Sequence, residues 1–324
     1  MNGLLRFAKL YTLTFELNAS LINEPTKDWI ESGDVIKGKT VALDGEKKRG
    51  DAFRIDLQRN TRNWNTDFYY VHYSPEYEAP LGFVNQNSIR NMEISESYTY
   101  YPKEKESIIQ QLRVSGGSEI TFNYNNLRKY FDVFSNTNIQ WKGNLRTNIN
   151  FVYVLNEEFS GFIGKNLTKL RMFNSYNPNE SIRLGVFTSI GESLRYEENN
   201  PSVGKSFEFG TFNNFQLNSK IQISQSLRYE QLRSKEDNSL FFKGYIGRIN
   251  MNYQFNKDLS FRLIGEYNDF DKAFFYQPLF KWNPNPFTIF YIGGSNGYSR
   301  IENKNKFSID NSNIYLKFQY LFDL

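Results

Sequence analysis

Hydrophobic and polar positions alternate with a period of two along most of this chain, most cleanly between Tyr245 and Asn268. Tyr245, Gly247, Ile249, Met251, Tyr253 and Phe255 share one face of an extended strand, and Arg248, Asn250, Asn252, Gln254 and Asn256 share the other. A short turn at Asn256 to Asp258 reverses the chain, after which Phe261, Leu263, Gly265 and Tyr267 oppose Arg262, Glu266 and Asn268. Arms of roughly ten residues have the length of a tilted transmembrane β-strand, whereas an amphipathic helix would space its apolar residues three and four apart.

The same pattern recurs at both ends. Tyr11, Leu13, Phe15 and Leu17 alternate with Thr12, Thr14, Glu16 and Asn18, and the terminal stretch Ile314 to Leu324, IYLKFQYLFDL, carries an aromatic and aliphatic face. Between them the spacing predicts strands at Asp51 to Asn60, Trp64 to Ser74, Met92 to Tyr100, Val133 to Lys142, Arg146 to Glu157, Ile182 to Ile190, Ser206 to Leu217 and Lys220 to Leu232. Ile108 to Val114 and Glu119 to Asn125 read as two short segments, and Phe287 to Gly293 as a strand that is apolar on both faces. Asn23 to Arg49, with Gly33, Gly38 and Gly45, reads as a long loop, and Pro75 to Asn91 as a second one interrupted by its prolines and Gly82. The pattern weakens from Phe159 to Glu180, where NSYNPNES reads as a turn-rich loop. It weakens again in the aromatic, proline-rich Asp271 to Pro286, and Gly294 to Asn313 reads as a polar loop. About fourteen strands are expected, in one antiparallel transmembrane β-barrel domain over residues 1–324 or the C-terminal part of a larger barrel, truncated at its N-terminus.

Composition narrows the choice. The 324 residues include 30 Phe and 22 Tyr, yet only 39% are hydrophobic, and the mean hydropathy is −0.61. Many aromatics diluted by polar residues suit alternating strands better than buried ones. No apolar run approaches the length of about eighteen residues that a helical span requires. The opening MNGLLRFAKLYTLTFELNAS lacks the regions of a secretory signal. There is no Cys and a single His, which excludes disulfides and the common zinc ligand sets. The 39 basic and 35 acidic side chains are interspersed, so no nucleic-acid partner is indicated.

Four stretches together resemble the C-terminal barrel domain of the DUF5916 family of Bacteroidetes outer-membrane proteins: YSPEYEAPLGFVNQNSIRN at Tyr73 to Asn91, NKDLSFRLIGEYNDF at Asn256 to Phe270, NPNPFTIFYIG at Asn283 to Gly293, and the ending KFQYLFDL. The resemblance implies a Gram-negative outer-membrane location and a barrel that follows a carbohydrate-binding family 9-like module. This chain shows no such module. Outer-membrane lipid is then the expected partner, with carbohydrate or surface lipoproteins beside it.

Candidate chemistry is sparse. Arg54, Asp56, Arg228, Glu230, Arg248, Arg262 and Glu266 fall on polar faces and read as lumen lining, either as paired charges or as a selectivity filter. Phe280, Trp282 and Phe287 could form a glycan-stacking platform; membrane girdle or core packing is the plainer role for exposed aromatics. His72 reads as a girdle or pore-wall residue, and Asp269 with Asp271 as a solvated loop that an oxygen-liganded calcium could use. The acidic pairs Glu93 with Glu96, Glu157 with Glu158 and Asp269 with Asp271 are formal candidates for glycoside hydrolysis, but the sequence does not show the separation across a sugar that this chemistry requires, and Glu157 and Glu158, adjacent on a strand, face opposite ways. No nucleotide or hydrolase fingerprint and no cofactor site is found, and an enzyme is not favoured. The expected function is a passive pore or a membrane platform for glycan-related work. A carbohydrate-binding or glycan-processing β-protein and a soluble β scaffold are the alternatives.

Overall fold

A computed structural model of the chain describes residues 1–27, 39, 42–79, 84, 86–104, 106–300 and 306–322. Among these residues seventeen strands follow one another: β1 (Asn2–Phe7), β2 (Tyr11–Asn23), β3 (Lys47–Asn60), β4 (Trp64–Tyr73), β5 (Ile89–Tyr100), β6 (Ile109–Asn123), β7 (Arg128–Trp141), β8 (Leu145–Phe159), β9 (Phe162–Asn179), β10 (Ile182–Arg195), β11 (Ser202–Gln216), β12 (Ile221–Ser234), β13 (Leu240–Gln254), β14 (Leu259–Asn268), β15 (Ala273–Asn285), β16 (Thr288–Arg300) and β17 (Phe307–Tyr320). Every strand pairs antiparallel with the next, forming one meander with the all-β architecture of a transmembrane barrel. None of the described residues forms a helix long and apolar enough to cross a membrane.

The registers collect the apolar positions onto one continuous face. Leu17 lies opposite Phe53, Phe53 opposite His72, Leu57 opposite Phe68, and Phe68 opposite Ile94. Further round, Phe151 meets Leu170, Leu170 meets Ile190 and Ile190 meets Phe207. The series ends with Tyr253 on Phe261, Phe261 on Phe280, and Trp282 on Phe290 beside Phe318. This face is convex. On the opposite one, side chains meet across an intervening strand, as only curvature toward that side allows: Phe173 of β9 stacks on Phe212 of β11 at 5.1 Å, and Lys169 of β9 reaches Glu208 of β11 at 2.9 Å. Gly185 of β10 makes the first contact feasible, because a Cβ there would lie 2.0 Å from the Phe212 ring. A convex belt rich in exposed Phe, Leu, Ile and aromatic side chains around a polar interior is the pattern of a membrane barrel. The buried hydrophobic cluster is correspondingly small, Val154, Leu167 and Leu194, near the tips of β8 to β10.

The strand count departs from about fourteen, and the extra strands come from segments that the pattern obscures. Residues 2–7 form β1, folded on β2 through a turn in which Ala8 and Lys9 adopt φ of 46° and 60°. The segment expected to be a turn-rich loop is β9, the longest strand at 18 residues, and only residues 180–181 turn. The two short segments around Gly116 and Gly117 are one strand, β6. The aromatic, proline-rich stretch is β15, and the supposed polar loop is largely the end of β16 and the start of β17. Gly33, Gly38 and Gly82 of the expected loops, and Asp323 and Leu324 of the expected terminal strand, lie outside the described residues.

Among the described residues no ladder joins β17 to β1, and both are edge strands. In an antiparallel meander of seventeen strands the first and last run in the same direction. A direct β1 to β17 seam would therefore be parallel.

Candidate functional site: the concave face and its inward segment

The concave face is divided electrically. On β2 to β7 it presents Glu16, Asp56, Asp67, Glu93, Glu119 and Asp132 against Arg54 and Arg113. Three of the acids are direct cross-strand neighbours: Glu93 faces Glu119, and Glu119 faces Asp132. Donors stand beside them, since Asn91 Nδ2 donates to Glu119 Oε1 at 2.7 Å and the Tyr130 hydroxyl to Asp132 Oδ2 at 2.8 Å. From β8 onward the balance reverses. Arg146, Lys169, Arg171, Arg228, Arg248 and Arg262 outnumber Glu208, Glu230 and Glu266.

The basic arc is tied by ion pairs that cross strands. Glu208, whose side chain is only 7% exposed, is held by Lys169 Nζ at 2.9 Å and by Arg228 at 3.0 Å, and Arg228 also meets Glu230 at 3.5 Å. Arg248 pairs with Glu266 at 3.4 Å. In the acidic arc Arg54 approaches Asp56 at 3.9 Å and lies over the Tyr69 ring. Among the seven charged residues expected to line a lumen, Asp56 Oδ1 and Arg262 Nε are buried without a hydrogen-bond partner.

At one end of this face the chain folds inward. After β4, Ser74 to Ala79 turns onto the small concave residues Ser20, Gly50 and Ala52. Ser74 N donates to Asp51 O at 2.9 Å, Asp51 N donates back to Ser74 Oγ at 2.8 Å, and Glu78 N donates to Ser20 Oγ at 3.2 Å. Tyr77 is buried, stacks on Tyr73 at 5.8 Å, and has its phenol pKa pushed up by burial, with Tyr73 and Glu16 adding to the shift. Gly50 is what admits it: a Cβ there would lie 2.2 Å from the Tyr77 Cα. Beside them Lys48 pairs with both Glu24 and Glu78.

The seven charged residues read from the sequence as lumen lining all lie on this concave face, although they divide between its two arcs. Phe280 and Trp282 lie on the convex belt instead, against Phe261 at 4.6 Å and Phe290 at 5.3 Å, and Phe287 sits in the turn before β16. His72 also belongs to the convex side, near a strand end, where Nε2 meets Asp51 Oδ2 at 2.7 Å. Glu93 is concave and Glu96 convex, the latter accepting from Trp64 Nε1 at 2.5 Å. Asp269 pairs with Lys272 at 2.6 Å, while Asp271 Oδ2 accepts from Asn268. Sequence reasoning missed the acidic ladder, because its three members come from three strands, and it missed the inward segment. The motif SPEYE was visible, but not the bare Gly50 that receives it.

No family model matches this chain, and no curated protein does. Solved structures do. The siderophore receptor PirA of Acinetobacter baumannii superposes with a TM-score of 0.56 at 8% identity, over 99% of this chain and 64% of the receptor. A point mutant of the ferric enterobactin receptor PfeA of Pseudomonas aeruginosa, solved with enterobactin, gives 0.54 at 8% identity, over 93% of this chain and 62% of its own. The chain thus spans less than two thirds of these receptors. At such identity the likeness is one of fold, and the fold is that of the transmembrane β-barrels of outer-membrane receptors.

Proposed function

We propose that the chain is an outer-membrane barrel of pore or transport type, whose lipid-facing side is the convex apolar belt and whose lumen is the charge-divided concave face. The observation that carries this reading is the registration of mainly apolar residues from β2 to β17 on one side and of mainly polar and charged residues on the other. Arg54, Asp56, Arg228, Glu230, Arg248, Arg262 and Glu266 then line the lumen. Membership of the DUF5916 family, a Bacteroidetes-like origin and a glycan-related platform role rest on the motif resemblance. In the glycan reading Trp282, 49% exposed, stacks sugars together with Phe280 and Phe287.

The test is expression with an export signal, followed by heat-modifiable migration in detergent, protease protection in outer-membrane vesicles and planar-bilayer conductance. A compact, heat-sensitive, protected and conducting species is expected; recovery in the soluble fraction without detergent refutes the reading. Glycan titration of Trp282→Ala with unchanged affinity would remove the platform.

A further inference from the structure

At the end of the concave face where the turns after β11 and β13 lie, the ladders bring together cations that have no counter-charge. Gln222 of β12 lies opposite Asn252 of β13, Asn252 opposite Arg262 of β14, and Arg262 opposite Leu279 of β15. One row nearer the end, Gln254 lies opposite Ser260, Ser260 opposite Lys281, Lys281 opposite Tyr291 of β16, and Tyr291 opposite Lys317 of β17. Arg262, Lys281 and Lys220 of the turn before β12 line one hollow of about 370 Å³, with Asn252, Ser260 and Tyr291 among its walls. Lys317 stands beside it, its ammonium 5.9 Å from the Tyr291 ring centroid.

Elsewhere in the basic arc each cation cluster is answered: Lys169 and Arg228 hold Glu208, and Arg248 holds Glu266. Here no carboxylate lines the hollow. Among the described residues the side chains of Arg262, Lys281 and Lys220 form no ion pair or hydrogen bond with the protein, and Arg262 Nε is buried besides. Along β14 the flanking acids are Asp258, in the preceding turn, and Glu266, already paired with Arg248 at 3.4 Å. Three unanswered positive charges around one concavity make a field that draws an anion, and a buried guanidinium N–H without an acceptor gains most when one arrives.

We propose that this hollow binds the phosphate group of a small organic phosphate monoester, with Arg262, Lys281 and Lys220 as its cationic contacts; the site takes the concave face as the solvated lumen of the pore proposed above. A carboxylate brings one negative charge, whereas a phosphate monoester brings about 1.5 to 2 and three acceptor oxygens, enough to meet a guanidinium and two ammonium groups together. Asn252 and Ser260, whose side chains also make no hydrogen bond with described residues, supply further donors. The hollow is larger than a phosphate group alone, and Leu279 and Tyr291 give the organic part an apolar wall.

The experiment is calorimetric titration of phenyl phosphate into the full chain folded in non-ionic detergent, with benzoate as the carboxylate comparator. Expected are one saturable site for phenyl phosphate and binding about tenfold weaker or more for benzoate. The Arg262→Gln/Lys281→Gln variant should bind phenyl phosphate about tenfold more weakly or worse, whereas Lys142→Gln, which removes an exposed cation paired with Glu106 outside the hollow, should match the parent. Absence of phenyl phosphate binding in the unsubstituted chain overturns the proposal, as does equal affinity in the double variant or for benzoate. Should the double variant fail to fold, the single Lys281→Gln variant and the parent titration decide. Binding in detergent does not depend on conduction: a chain that binds but does not conduct overturns the pore alone, and one that conducts but does not bind overturns the site alone.

Discussion

Replacing Gly50 by Ala tests whether the segment after β4 is held on the concave face. The added Cβ would fall 2.2 Å from Tyr77 Cα, 2.3 Å from Tyr77 N and 2.6 Å from the Glu76 carbonyl carbon. All three are backbone atoms, so no rotamer change relieves the contact. Restoring an ordinary separation of about 3.4 Å or more displaces the segment by roughly 1 Å or more. At stake are the three hydrogen bonds to Ser20 and Asp51, each contributing about 1 kcal/mol net, and the burial of Tyr77, about 1.5–3 kcal/mol. Partial relaxation recovers some of this, so a loss of about 2–4 kcal/mol in local stability is expected. At about 1.4 kcal/mol per decade, the detached population rises from about 30-fold to several hundred-fold.

Limited chymotrypsin digestion of the detergent-folded protein reads that population directly, because cleavage after Tyr77 requires the segment to leave its seat and tracks the open fraction when reclosing is fast. Gly247→Ala is the control: its Cβ would find Leu227 at 3.8 Å, an ordinary contact, on the convex side. Cleavage at Tyr77 should accelerate in Gly50→Ala and stay at the parental rate in Gly247→Ala. A parental rate in Gly50→Ala, or equal acceleration in both, would refute the seating of this segment.

Gly185→Ala should force the Phe212 ring off Phe173, costing about 1–3 kcal/mol in the denaturant midpoint, and Phe212→Ala in the same chain should then cost less than it does alone. Glu208→Gln removes the counter-charge shared by Lys169 and Arg228; it should cost about 1–3 kcal/mol, given the partial exposure of both cations, and move the reversal potential of reconstituted channels toward anions. In the turn after β12, hydrogen bonds from Ser234 and Ser239 hold the Asp237 carboxyl at about 2, below its ordinary value near 3.8. Its contribution is therefore complete above the ordinary value and lost as pH falls through about 2, so amide exchange in residues 235–239 should differ between parent and Asp237→Asn at pH 6 and converge near pH 2.

The fold class was legible because alternation survives wherever both faces are chemically pure, as in β12 to β14. It failed where the concave face carries an aromatic for a local reason. In β9 Phe173 points inward to stack across Gly185, and Asn174 points outward, so the local alternation is inverted although the strand is continuous. In β15 the prolines obscure the strand, since proline cannot donate to a ladder. The pairing of β15 with β16 runs from Tyr276 on Asn296 to Leu279 on Gly293 without using Pro278, while Pro278 still sits opposite Leu263 of β14. A thirteen-residue strand keeps its register across one missing bond. Gly116 and Gly117 read from the sequence as turn or strand-edge glycines and lie inside β6, where a Cβ on Gly117 would fall 2.4 Å from the Ile94 carbonyl oxygen; the glycine marks close approach of strands.

The division of charge was illegible for a different reason. Composition reports 39 basic and 35 acidic side chains, nearly balanced, and along the chain the signs alternate within a few residues. Separation appears only when the register sorts each strand into two faces and the strands are laid side by side, because the charged concave residues of β2 to β7 are mostly acids and those from β8 onward mostly bases. A meander keeps sequence neighbours adjacent in space, so a drift in face-specific charge along the chain becomes a field across the concave face. In the proposed lumen that field would act at full strength only where water is confined, and the inward segment narrows the face on its acidic side. Removing that segment from its seat and neutralising Glu208 should therefore act on different quantities: the first on conductance with little change in ion preference, the second on ion preference with little change in conductance.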